Sequence, residues 1–205
     1  MVLTPSQLQT ATAKTCKEHS VLKHDLFTSY RSKIDGEFVA QLVPFLEKLG
    51  SRILCRRVCV FWDKLCLKSG LKWEDGFIGG LTGSYVIMYV LSEESLRQMI
   101  ENVQNGIEDY VLLEIEAGVS LADARILPIL IDSAGTTFSE ITGHGSLFNP
   151  TTYPDLLHVK SSTNFRKTMT DLFLNQVIHT APDHTKIHNI AYDIVDLIEP
   201  LPGDS

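Results

Sequence analysis

The chain has 205 residues, 44% of them hydrophobic and 21% charged, with a formal net charge of −7. That composition suits one folded domain with extensions rather than two full ones. The acidic balance excludes a protein whose main ligand is nucleic acid, which needs a clustered positive field, and no apolar run approaches the roughly 20 residues of a membrane helix.

Residues 1–22 are polar and aperiodic and read as a leader or linker. His24-Asp-Leu-Phe-Thr-Ser-Tyr30 is the first predicted strand. From Gly36 to Leu49, Phe38, Leu42, Phe45, Leu46 and Leu49 recur at helical spacing, with Gly50 as the expected stop and Pro44 as an internal bend or boundary. The short basic patch Arg52, Arg56 and Arg57 reads as a solvated loop. Val58 to Trp62 is a second strand ending at Asp63, followed by a loop to Lys72 and a glycine-weakened helix over Trp73–Ile78. Tyr85-Val-Ile-Met-Tyr-Val-Leu91 is apolar throughout, as a strand covered on both faces should be. A helix over about 108–121 and a strand over 126–131 follow. The stretch 133–155, rich in Gly, Ser, Thr and Pro, reads as a long loop. Residues 156–160 suit a short fifth strand, and helices near 164–177 and 186–198 complete the pattern.

Strands alternating with helices in this way predict an α/β fold: a flavodoxin-like, three-layer arrangement around a central, mostly parallel five-stranded sheet over residues 23–200, with 201–205 as a tail. Ligands of such sheets gather at the carboxyl ends of the strands, where strand order reverses. In a flavodoxin-like order that place lies between the first and third strands. It brings Ser29, Tyr30 and Arg31 opposite Ser92.

Cys16, Cys55, Cys59 and Cys66 form no C-x-x-C pair and predict free thiols in a reducing, cytoplasmic setting. His179, His184 and His188 surround Pro182, no helix holds them on one face, and no metal site is expected from them. No Gly-x-Ser-x-Gly elbow supports a serine triad.

At about 100° per residue, Tyr110, Leu113, Glu114, Ala117, Gly118 and Leu121 share one arc of the 108–121 helix, while Asp109, Glu116 and Ser120 turn to the polar sector. Glu114 is then an acid on an apolar face, which needs either structural partners or a chemical task. The helix alone leaves both open.

His24-Asp-Leu-Phe-Thr-Ser-Tyr-Arg31 resembles the first box of Toll/interleukin-1 receptor (TIR) domains. Phe61-Trp-Asp-Lys-Leu-Cys-Leu-Lys-Ser-Gly70 with Lys72-Trp-Glu-Asp-Gly-Phe77 resembles their second strand and BB loop. Val90-Leu-Ser92 resembles the end of their third strand, and Asp109-Tyr-Val-Leu-Leu-Glu114 the helix carrying the catalytic glutamate of NAD-cleaving members. The boxes run in order over about residues 23–132, more loosely to 198. They are closer to the enzymatic TIR domains of fungi, protists, plants and the axon-degeneration protein than to receptor adaptors. Tyr110 stands where several enzymatic members carry tryptophan, four residues before the glutamate.

The resemblance implies an NAD+ nucleosidase releasing nicotinamide and linear or cyclic ADP-ribose, in signalling or in cell-death and immune control. NAD+ is then a substrate rather than a cofactor, consistent with the lack of a Gly-x-Gly-x-x-Gly fingerprint. Glu114 is expected to stand ionised against the ribose. Arg31 either clamps the pyrophosphate or pairs with Asp35 or Glu37. Trp73 stacks on a base or anchors the following helix, and Tyr110 lines the pocket. Asp63 holds the loop through backbone amides, and Ser29 faces the same site. Ser92 touches ribose or phosphate or caps the next helix. Lys72, like Lys64 and Lys68, is solvated or reaches a phosphate, and Gly70 gives the loop its freedom. Self-association through TIR–TIR contacts is implied as well. The alternative is an adaptor that signals by such contacts without catalysis, and fold alone does not separate the two.

Overall fold

The computed structural model describes residues 23–67, 73–121, 124–131, 167–169, 171–172, 178–180 and 187–198. Their order is β1 (His24–Tyr30), α1 (Gly36–Ile53), β2 (Val60–Phe61), α2 (Asp63–Cys66), α3 (Trp73–Thr82), β3 (Ser84–Ser92), α4 (Glu93–Gln104), α5 (Tyr110–Val119), β4 (Arg125–Ile131), β5 (Ile178–Thr180) and α6 (Ile187–Ile198). The strands form one sheet in the order β2-β1-β3-β4-β5, and all four pairings are parallel. This is the flavodoxin-like order. Strand sequence reverses between β1 and β3.

Side-chain alternation along the strands builds two cores. Leu26, Val60, Val86, Met88, Val90 and Ile129 face α1 and α6 on one side of the sheet. On the other, Phe27, Phe61, Ile87, Tyr89, Leu91 and Leu130 face apolar residues of α3, α4 and α5. β3 lies between the two layers and is buried along almost its whole length, which accounts for its unbroken apolar run.

Several predicted boundaries move for physical reasons. α1 continues past Gly50 to Ile53. Gly50 is an interior glycine: a Cβ there would meet Val58 Cγ2 at 2.9 Å, so its role is close approach of α1 to the segment leading into β2, not termination. Pro44 is accommodated within α1. The loop expected after Trp62 begins with the helical turn α2, and Glu93–Gln104, whose start was visible only as a cap at Ser92, is a full helix. The strand beside β4 is Ile178–Thr180; residues 156–160, expected to supply it, lie outside the described residues, as does the loop 133–155. Within the predicted 164–177 helix, residues 167–169 and 171–172 are helical. Among the described residues no helix is long and apolar enough to cross a membrane.

Candidate active site

α5 carries the acid that the sequence singles out. Asp109 is its N-cap: its carboxylate accepts from the Leu112 amide at 3.0 Å, the arrangement that Asp supplies at helix starts. Val111, Leu112, Glu114, Ile115, Ala117 and Gly118 are the buried residues of the helix. The buried face is therefore rotated from the arc read off the sequence. Tyr110, expected as a pocket wall, opens the helix at 54% exposed, while Glu114 is only 8% exposed. Glu116, read as solvated, is half-buried, and its pKa is raised by that burial.

Ser29, next to last in β1, donates its hydroxyl to Glu114 Oε2 in a very short hydrogen bond. Its side chain is thus turned onto the acid itself. Tyr89, deep in β3, donates to the main-chain carbonyl of Glu114 at 2.8 Å.

Burial pushes the Glu114 carboxyl up to about 8, with the nearby negative charges of Asp63 and Asp109 adding to the rise. The Ser29 hydrogen bond and the Arg31 charge oppose it. Without a cation beside it, burial and the acidic neighbours, which together outweigh one arginine, favour the protonated form of Glu114 at neutral pH.

Arg31, the residue after β1, pairs with Asp109 Oδ2 at 2.6 Å rather than with Asp35 or Glu37. Asn102 at the end of α4 donates to the same oxygen at 2.6 Å. Asp109 was assigned to the polar sector but is buried, the anchor of three segments. Its position immediately before an apolar helix was the available signal. Arg31 Nε is buried with no partner among the described residues, so part of the guanidinium remains uncommitted.

At the end of β2, the Trp62 indole N–H donates to Tyr30 Oη at 2.9 Å, and the Tyr30 hydroxyl donates to Asp63 Oδ1 at 2.7 Å. The same Asp63 oxygen accepts the Lys64 amide at 2.8 Å. Burial first, then the Asp63 hydrogen bond, raises the Tyr30 pKa, so the phenol stays a donor. Asp63 thereby ties the start of the loop to the end of β1.

Ser92 accepts from the Ser95 amide at 3.2 Å and caps α4, so of its two readings the cap is realised. Asp35, at the start of α1, is buried and its pKa is raised by that burial, with the Ser92 and Ser95 hydroxyls among the groups opposing the rise. Trp73 begins α3, but its side chain, like the whole of Lys72, Lys68 and Gly70, lies outside the described residues. His184 lies outside them too, whereas His188 packs its ring 4.2 Å from that of Phe45. Among the described residues no three His, Cys, Asp or Glu side chains gather as a metal site.

The arrangement is a nearly buried carboxyl at the strand-order reversal, held by Ser29 of β1 on a helical turn whose backbone carbonyl is held by Tyr89 of β3, and bordered by a partly free arginine. Such a group can bind and stabilise positive charge, because a cation beside it restores the ionised form. No family model matches the chain, and no curated protein matches it. Among solved structures it is similar to the TIR domains in the structure of the activated Roq1 resistosome directly recognising the pathogen effector XopQ. The TM-score is 0.54 and the identity 18%, over 84% of this chain and 99% of that one. The likeness is one of fold: the chain folds as a TIR domain does.

Proposed function

We propose that the chain is an NAD+ nucleosidase in which Glu114 is the catalytic carboxylate. The observation that carries this reading is a single acid, 8% exposed, held by Ser29 at the strand-order reversal of a TIR fold. Glycosidases acting on neutral sugars need two carboxyl groups, one of them to protonate a poor leaving group. Nicotinamide in NAD+ is already a pyridinium cation. When the C1′–N bond breaks, the bonding electrons leave with the ring, nicotinamide departs neutral, and the positive charge passes to the ribose carbon. Water, or the adenine ring in a cyclisation, then supplies the new bond to that carbon and gives up a proton where its own charge requires it.

The protein's task is therefore to orient the ribose and stabilise a developing cation. Glu114 performs it as the carboxylate, which the cationic substrate draws out by offsetting the burial that keeps it protonated. Arg31 meets the pyrophosphate, Trp73 flanks the base, and Asp63 orders the loop they border. Lys72 completes the proposed contacts. NAD+ is substrate and no cofactor is needed. Self-association is part of the proposal, in keeping with a neighbour whose TIR domains belong to an activated resistosome. So are a cytoplasmic location and a role in immune or cell-death signalling.

One observation favours the non-catalytic adaptor: Ile107 and Tyr110, on either side of Asp109, are 56% and 54% exposed and suit a protein contact. Incubation with NAD+ and measurement of free nicotinamide, with Glu114→Gln as control, separates the two.

A further inference from the structure

Ser29 and Tyr89 are register partners across β1 and β3. Directly opposed residues of neighbouring strands share a face of the sheet, and here both side chains meet the same residue of α5. Ser29 bonds the Glu114 carboxyl and Tyr89 its main-chain carbonyl. In a helix that carbonyl also accepts the amide four residues on, which is Gly118. A Cβ on Gly118 would lie 1.9 Å from Tyr89 Oη, 3.1 Å from Cζ and 3.2 Å from Ile87 Cδ1. Gly118 is thus the socket that admits the tyrosine oxygen to the helix backbone.

We propose that Tyr89, seated at Gly118, is a positioning residue that fixes the helical turn bearing Glu114, so that the carboxyl meets Ser29 and remains held away from water. Any buried tyrosine needs an acceptor for its hydroxyl. What distinguishes this one is that its acceptor belongs to the acid held by its own cross-strand partner. Both ends of one residue are fixed by one rung of the sheet. The inference rests on Glu114 being the working carboxyl, but the geometry it concerns can be measured without any turnover.

The test uses the full chain labelled with 13C at glutamate side chains, the Glu114 signal being assigned by its loss in Glu114→Gln. Tyr89→Phe keeps the ring and removes the oxygen. Because burial is the largest cause of the raised Glu114 pKa, releasing the turn admits water first. The expected result is a Glu114 titration midpoint lowered by at least about half a pH unit. If the chain also cleaves NAD+, kcat falls about tenfold with KM little changed, as for an interaction used chiefly in the transition state.

Gly118→Ala provides the second arm, since its methyl displaces the hydroxyl and produces the same lowered midpoint. Combining it with Tyr89→Phe relieves the 1.9 Å conflict and returns thermal stability towards that of Tyr89→Phe alone. A midpoint unchanged or raised in both single variants, with only stability lost, overturns the proposal. A wild type inactive on NAD+ but showing the lowered midpoint in the variants removes the functional reading and leaves the clamp.

Discussion

Arg31, at the carboxyl end of β1, and Asp109, at the head of α5, are joined by a 2.6 Å ion pair across 78 positions of sequence, with the Asp109 side chain fully buried. The contact locks the helix that carries Glu114 onto the strand that supplies Ser29.

Arg31→Ala leaves the Asp109 carboxylate with the Asn102 amide and the Leu112 N–H as its donors among the described residues. Removing the cation from a buried ion pair costs about 3–5 kcal/mol of folding free energy. Urea unfolding at neutral pH should show that loss. Arg31→Lys should recover only part of it, because an ammonium does not reproduce the guanidinium's fork of donors.

The raised Glu114 pKa fixes the direction in which stability depends on pH. The folded chain binds the Glu114 proton up to about 8, whereas the unfolded chain releases it near 4.5. Between those values the folded state holds more protons, so stability is full below about 4.5 and falls as pH rises towards 8. This one group contributes a slope of up to roughly 1.4 kcal/mol per pH unit. Melting temperatures across pH 5–9 should decline more steeply for the wild type than for Glu114→Gln, which lacks the titration. Parallel curves would contradict the assignment.

Two substitutions should move the alkaline-rising limb of kcat/KM in opposite directions. Ser29→Ala removes a hydrogen bond that favours the carboxylate, and the limb shifts to higher pH. Asp109→Asn keeps an oxygen for the Leu112 amide but deletes a negative charge that disfavours it, and the limb shifts to lower pH. Shifts of the same sign would exclude Glu114 as the group being titrated.

If neighbouring copies complete the site, specific activity rises with protein concentration. A rate proportional to protein concentration across a hundredfold range would remove self-association from the account.

The sheet was legible in the sequence because its signals are local and redundant. The unbroken apolar run at β3 and the strand–helix rhythm each pointed to the same doubly covered sheet. Glu114 was legible because a charge on an apolar face is conspicuous. What escaped is non-local. Asp109 looked solvated because helical periodicity describes one helix at a time and contains nothing about the arginine 78 positions earlier. Tyr89 looked like one more apolar strand residue, since its only distinguishing bond is to a backbone carbonyl on another element. The trace it left in sequence was Gly118, an otherwise unfavourable residue inside a helix. The protonation of Glu114 escaped for the same reason, as burial and the fields of Asp63 and Asp109 exist only once the chain is folded.

The most direct test is nicotinamide release from NAD+ at pH 8, at high protein concentration, by wild type and Glu114→Gln side by side. The account predicts release by the wild type and a loss of at least about 10²–10³-fold in the variant, the scale of removing one preorganised electrostatic group. Equal release by both proteins, or none by either, would contradict it.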